Sequence, residues 1–115
     1  MRLGKPPGAW GRRIRGTLHA TILAAAACAP RHEPKRSVIH IHAFQFAPAD
    51  TVQVGDTVVW TNDDVVPHTA TDIGKRFDSG TIESGAEWRL VAPAPGTFSY
   101  ECTLHPTMRG TLVVR

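Results

Sequence analysis

From Ser37 to the C-terminus the chain is written in short β-prone runs closed by Gly, Pro or Asp, and no stretch keeps a helical period. Residues 38–46 form the first run, with His40, His42, Phe44 and Phe46 sharing one parity. Residues 51–54 and 56–61 are divided by Gly55, and residues 69–71 read as a further short strand. Residues 87–91 alternate around Trp88 and Leu90; residues 97–102 put Phe98, Tyr100 and Cys102 on one face; residues 110–114 put Leu112 with Val114. Seven or eight short strands in about 80 residues predict an all-β sandwich. Such a small core is marginal on buried area alone, so Trp60, Trp88 and the four phenylalanines must carry much of the burial.

The segment ahead of this domain has a different composition. The first 30 residues hold five basic side chains and no acidic one, and residues 18–29 form an apolar run interrupted by His19 and Thr21. A basic start, a short apolar stretch and small residues at its end predict an export signal over residues 1–29, too short to cross a bilayer. Arg12-Arg13 admits a twin-arginine signal, and Ala25-Ala26-Ala27-Cys28 resembles a bacterial lipoprotein cleavage site with Cys28 to be acylated. A lipid on Cys28 would be the only membrane attachment; the expected location is the bacterial periplasm. Residues 30–37 read as a polar tether and residues 38–115 as the domain. The net charge of +3 belongs to the leader, because the remainder carries eight basic against ten acidic side chains. The high pI is therefore no footprint of nucleic acid, which is excluded as a partner.

Beyond residue 30, Cys102 is the only cysteine and Met108 the only methionine, and they stand six residues apart with His105 midway. Together with His68 after Pro67, they supply one thiolate, two imidazoles and one thioether. Two His and a Cys in a plane with a weak axial Met make up the ligand set of a mononuclear blue-copper site. An unpaired Cys beside a His and a Met is better explained by a metal than by a disulfide, even in an oxidising compartment.

Pro67-His68 and the run Tyr100-x-Cys102-x-x-His105-Pro106-x-Met108-x-Gly110 resemble the cupredoxins over roughly residues 38–115. The short Cys-x-x-His-x-x-Met loop resembles the amicyanin subgroup, with plastocyanin and pseudoazurin more distant. The resemblance implies Greek-key topology and a type 1 copper ion cycling between Cu(I) and Cu(II). It implies His68, Cys102, His105 and Met108 as ligands, with His105 as the electron port near the surface. The implied activity is one-electron transfer, without enzymatic turnover, by a monomer that docks transiently on redox partners such as a dehydrogenase or a cytochrome. Thr69 and Thr103 stand where relatives often carry Asn and Ser or Thr, a latch between two loops. Leu104 replaces a common Pro, and its extra N–H is expected to reach the thiolate. The second nitrogen of His68 is expected to donate to a backbone carbonyl after the first strand.

Other residues allow different readings. His40 and His42, on one strand face, are candidates for a second metal site, and with them the chain would be a periplasmic copper-binding or delivery protein. An interaction sandwich with a zinc or empty site is a third possibility. Asp63, Asp64 and Asp72 are expected to form a solvated acidic rim.

Overall fold

The computed structural model describes residues 2–4, 7, 8, 11, 16, 17 and 19–115. Arg12-Arg13 lies outside the described residues. The described part of the leader is exposed and forms neither helix nor strand, and no helix of the described residues is long and apolar enough to cross a membrane.

Seven strands follow: β1 (Arg36–His42), β2 (Gln45–Phe46), β3 (Thr57–Asn62), β4 (Thr71–Asp72), β5 (Glu87–Val91), β6 (Gly96–Cys102) and β7 (His105–Val114). They form a four-stranded sheet in the order β2-β1-β3-β5 and a three-stranded sheet in the order β4-β6-β7. β1 and β3 run parallel and the other pairs antiparallel. This is a Greek-key β-sandwich, as expected. Alternating side chains from both sheets meet in one core containing Ile39, Ile41, Val58, Trp60, Phe98, Tyr100, Leu112 and Val114.

Several strand assignments differ from expectation. The run over residues 38–46 is broken at Ala43 and Phe44, which both take positive φ (50° and 59°) in a two-residue turn pairing His42 with Gln45. That is hairpin geometry normally built from Asn or Gly, and each L-residue in it costs about 1–2 kcal/mol. Residues 51–54 contribute only an isolated bridge between Val52 and Val114. The last strand starts earlier than expected, at His105, so only Thr103 and Leu104 separate it from β6. Gly110 allows this pairing to close: a Cβ there would sit 2.5 Å from the Tyr100 hydroxyl oxygen and 2.8 Å from its Cε2.

The residues before β1 are tied to the domain. Asp56, almost fully buried, accepts hydrogen bonds from Lys35 N (2.8 Å) and Gln53 N (2.9 Å) and pairs with His32 Nε2 (2.5 Å). The Gln53 N–H first, then the Lys35 N–H and His32, hold the Asp56 carboxyl at about 2 instead of 3.8. A carboxyl depressed in the folded state contributes stability above its unfolded value and loses it as pH falls toward the folded one. Urea midpoints are therefore expected to drop between about pH 3.8 and about 2, and to drop less in Asp56→Asn.

Candidate metal centre

The site lies where β6 turns into β7 beside the loop that follows β3. Cys102 ends the inward-facing parity set of β6 and is fully buried. Pairing in the β6–β7 hairpin jumps from Glu101↔Arg109 to Cys102↔His105, so residues 106–108 make an excursion opposite a single step of β6. That excursion brings Met108 back into the core, 4% exposed, three residues after His105. His105 is half-buried at the edge of the domain.

His68 is fixed by its own backbone, which exchanges hydrogen bonds with Ile82 (His68 N to Ile82 O, 3.1 Å; Ile82 N to His68 O, 2.7 Å). Buried Asn62 braces the loop before it, donating to Val66 O (2.8 Å) and Ile82 O (2.9 Å) and accepting from Asp64 N (3.0 Å). The loop then delivers a fully buried imidazole to Cys102.

His68, Cys102 and His105 are the one group of three metal-capable side chains among the described residues, their ligand atoms all within 4.8 Å of one another. The Cys102 sulfur lies 3.7 Å from His68 Nδ1 and 3.6 Å from His105 Nδ1. Metal–nitrogen and metal–sulfur bonds of about 2.0 and 2.3 Å at about 120° span about 3.7 Å between donor atoms, which matches both edges. The protonation pattern agrees. His68 Nε2 lies 2.8 Å from Asp64 Oδ2. Asp64 also accepts from Phe44 N and Ala43 N, and chiefly the Phe44 N–H holds its carboxyl below the usual range. An ionised carboxylate only accepts, so His68 Nε2 carries the proton and Nδ1 turns a lone pair toward the sulfur. A lone pair and a buried sulfur facing each other suit a soft cation between them.

The acceptor for His68 is therefore the Asp64 carboxylate, and not a backbone carbonyl. The segment after β1 enters from the other side, donating two N–H groups to the same carboxylate. The N–H at the sulfur is that of Thr69 (3.3 Å); the hydrogen bonds of the described residues include none from Leu104 to Cys102, and Leu104 is half-exposed. The threonine latch does form. Thr103 N donates to Thr69 Oγ1 (2.8 Å), the two hydroxyls lie 3.1 Å apart, and Thr71 Oγ1 donates to Thr69 Oγ1 (3.1 Å). Thr69→Val removes the common acceptor while keeping the volume. Copper affinity measured by competition with a chelator is expected to fall about 10- to 100-fold, the usual effect of losing an outer-shell partner.

The acidic rim is not solvated as a unit. Asp63 is exposed and pairs with His40 Nδ1 (2.6 Å), whereas Asp64 is only 10% exposed. Asp72 is buried, clamped by Arg76 N (2.9 Å), Nε (2.7 Å) and an Nη (2.9 Å), with the guanidinium 4.0 Å above the Phe98 ring. His40 and His42 are exposed and face different carboxylates, His42 Nδ1 lying 3.8 Å from Asp64. They belong to no group of three or more metal-capable side chains among the described residues. Sequence reasoning gave no role to Asn62 and counted Phe44 among the phenylalanines of the core, whereas Phe44 is 49% exposed and stands against the two imidazoles. The Asn-Asp-Asp run at residues 62–64 carries the turn-forming signal that would have exposed Asn62.

A Greek-key sandwich presenting a thiolate and two imidazoles in this arrangement, at one end of its core, defines a blue-copper protein of the cupredoxin class. No protein-family model matches the chain. Amicyanin from Paracoccus denitrificans is 31% identical over 125 residues, covering 89% of this chain and 95% of that protein. Amicyanin-alpha from Methylorubrum extorquens is 30% identical over 102 residues, covering 83% of this chain and 86% of that protein. The solved Cu(I) structure of an amicyanin variant is similar with a TM-score of 0.64 at 29% identity, over 70% of this chain and 82% of that one. The chain belongs to the amicyanin family. It is a copper electron-transfer protein with type 1 copper as its cofactor.

Proposed function

We propose that His68 Nδ1, Cys102 Sγ and His105 Nδ1, together with Met108 as the weaker fourth ligand, would hold the copper ion, and that the protein relays single electrons through the His105 edge. The observation that carries this reading is the convergence of the Cys102 sulfur and the two Nδ1 atoms. Bound there, copper supplies a one-electron couple. The donor positions are set by the fold: β6 fixes Cys102, the Ile82 bridge fixes His68, and the Thr69–Thr103 latch ties the two loops together.

His105 is half-buried, its ring 5.0 Å from that of half-exposed Phe44, and its neighbours Leu104 and Pro106 are exposed, as are Val65 and Pro67 on the loop that carries His68. A small apolar rim built from these residues suits brief encounters with redox proteins, which use small interfaces. Redox partners such as a dehydrogenase or a cytochrome fit that role, with the carrier a monomer. The basic, apolar leader supports export to the periplasm, and Cys28, exposed in the described structure, is available for a lipid after cleavage.

Electron self-exchange, followed by NMR line broadening in mixtures of oxidised and reduced protein, tests this reading. Fast exchange that slows markedly in Leu104→Glu is the expected result. Slow exchange in the wild type, with copper passing readily to an acceptor chelate, would replace the carrier by a delivery protein.

A further inference from the structure

One carboxylate connects the copper-binding imidazole to the strained hairpin turn. Asp64 Oδ2 lies 2.8 Å from His68 Nε2 and accepts Phe44 N at 2.9 Å, while Oδ1 accepts Ala43 N at 2.7 Å. The Asp64 main chain is itself held, its N–H donating to Asn62 Oδ1 and its carbonyl accepting from Ser84 Oγ (2.6 Å). Ala43 and Phe44 are the two consecutive non-glycine residues at positive φ, and they occupy the one turn that receives this carboxylate. The turn sets the Phe44 ring edge-on to both imidazoles, with centroids 5.5 Å from His68 and 5.0 Å from His105 at interplanar angles of 89°.

We propose that Asp64 is a positioning residue of the copper centre: a single carboxylate fixes the His68 tautomer and holds the left-handed Ala43–Phe44 turn, so that Phe44 is locked across both imidazoles and the turn and the ligand geometry are coupled. This rests on the reading of His68 and His105 as copper ligands. Two consequences follow from the chemistry. The negative charge on Asp64 makes the His68 imidazole a stronger donor, which favours Cu(II) over Cu(I). The Phe44 ring shields the two imidazoles from water on the side where the chain would otherwise leave them open. Neither consequence belongs to a solvated rim aspartate, and neither would arise from Phe44 in a relaxed turn free to move away.

The test uses the full chain with Asp64→Asn, Ala43→Gly and the double variant. Asn keeps the shape and one acceptor oxygen but loses the charge; Gly accepts positive φ without strain and keeps the Phe44 ring. In copper-loaded Asp64→Asn the ratio of Cu(II) to Cu(I) affinity is expected to fall about tenfold, a rise of about 59 mV in midpoint potential. In the metal-free protein, nuclear Overhauser contacts from the Phe44 ring to His68 and His105 are expected to weaken in Asp64→Asn. They should recover in the double variant, whose potential stays raised. Long-range proton–nitrogen spectra of metal-free Asp64→Ala should show the Nε2–H preference of His68 lost. If that variant does not fold, Asp64→Leu in the Ala43→Gly background gives the same readout.

Unchanged potential and unchanged Phe44 contacts in Asp64→Asn overturn the proposal. So does a change in one without the other, because it leaves no coupling. The metal-free readouts separate this failure from failure of the copper reading: a wild-type chain without a blue site would still show whether Asp64 sets the tautomer and the turn.

Discussion

Copper-loaded Cys102→Ser is expected to be colourless, with the intense thiolate-to-copper absorption of the wild type reduced to a trace. The absorption needs a thiolate bonded to the metal, and metal binding deprotonates a thiol where it leaves a serine hydroxyl protonated. Cys28 is the one other cysteine of the chain, and it lies exposed in the leader, away from the buried site. Serine nearly matches the shape of cysteine, so the Thr69 N–H retains an acceptor and the apoprotein keeps most of its stability. His68 and His105 still offer two nitrogens, so Cu(II) binds weakly in a tetragonal site with faint ligand-field bands and a wide copper hyperfine splitting. Visible and electron paramagnetic resonance spectra of the two proteins, each with one equivalent of Cu(II), decide the matter. A strong band that survived the substitution would place the copper elsewhere and remove Cys102 from the centre.

The donor set was legible in the sequence because its chemistry demands rare residues at fixed places. Soft donors are scarce in this chain, and Cys102, His105 and Met108 stand together where a β-strand parity ends. The strands were legible where alternation is bounded by Gly or Pro, as in β5, whose residues 87–91 are reproduced without change. Expectation failed where a tertiary contact overrides local preference. Ala43-Phe44 carries no turn signal, and its conformation depends on a carboxylate about twenty residues away. Asp64 and Asp72 look like surface residues in a sequence, since nothing local tells a solvated aspartate from one buried on a partner. Asp72 is buried because Arg76 and the Arg76 N–H reach both of its oxygens. Asp64 is covered because His68 and the hairpin turn converge on it. The last strand reads only from residue 110, because the Cys-x-x-His-x-x-Met run reads as a loop in which Pro106 cannot donate to a ladder, and the structure accommodates Pro106 in the unpaired excursion of residues 106–108.

Trp60→Ala is expected to have the largest effect on stability while leaving the colour of the folded, copper-loaded protein intact. Trp60 is fully buried on β3, the strand flanked by both β1 and β5, and its ring packs against Trp88 (5.3 Å), Tyr100 (5.5 Å) and Phe77 (5.7 Å). These aromatics join the two sheets, so the cavity left by alanine cannot be closed by moving one side chain. Truncating a buried tryptophan costs about 3–5 kcal/mol. A domain of about 80 residues has only about 4–12 kcal/mol in total. The metal-free variant should therefore unfold about 12–40 °C below the wild type, at about 4–8 °C per kcal/mol for a domain of this size. Copper offsets part of the loss, since a ligand at 1,000 times its Kd adds about 4 kcal/mol to the folded state. Trp60 is not among the donors or their hydrogen-bond partners, so the absorption maximum of the loaded variant should coincide with that of the wild type. Calorimetry of metal-free and copper-loaded protein, with visible spectra at low temperature, tests both halves. A loss under about 1 kcal/mol would mean that the aromatic cluster does not hold the sheets together. A displaced absorption maximum would mean that the core positions the ligands directly, and that the latch and the Asp64 clamp do not by themselves insulate the site from the packing beneath it.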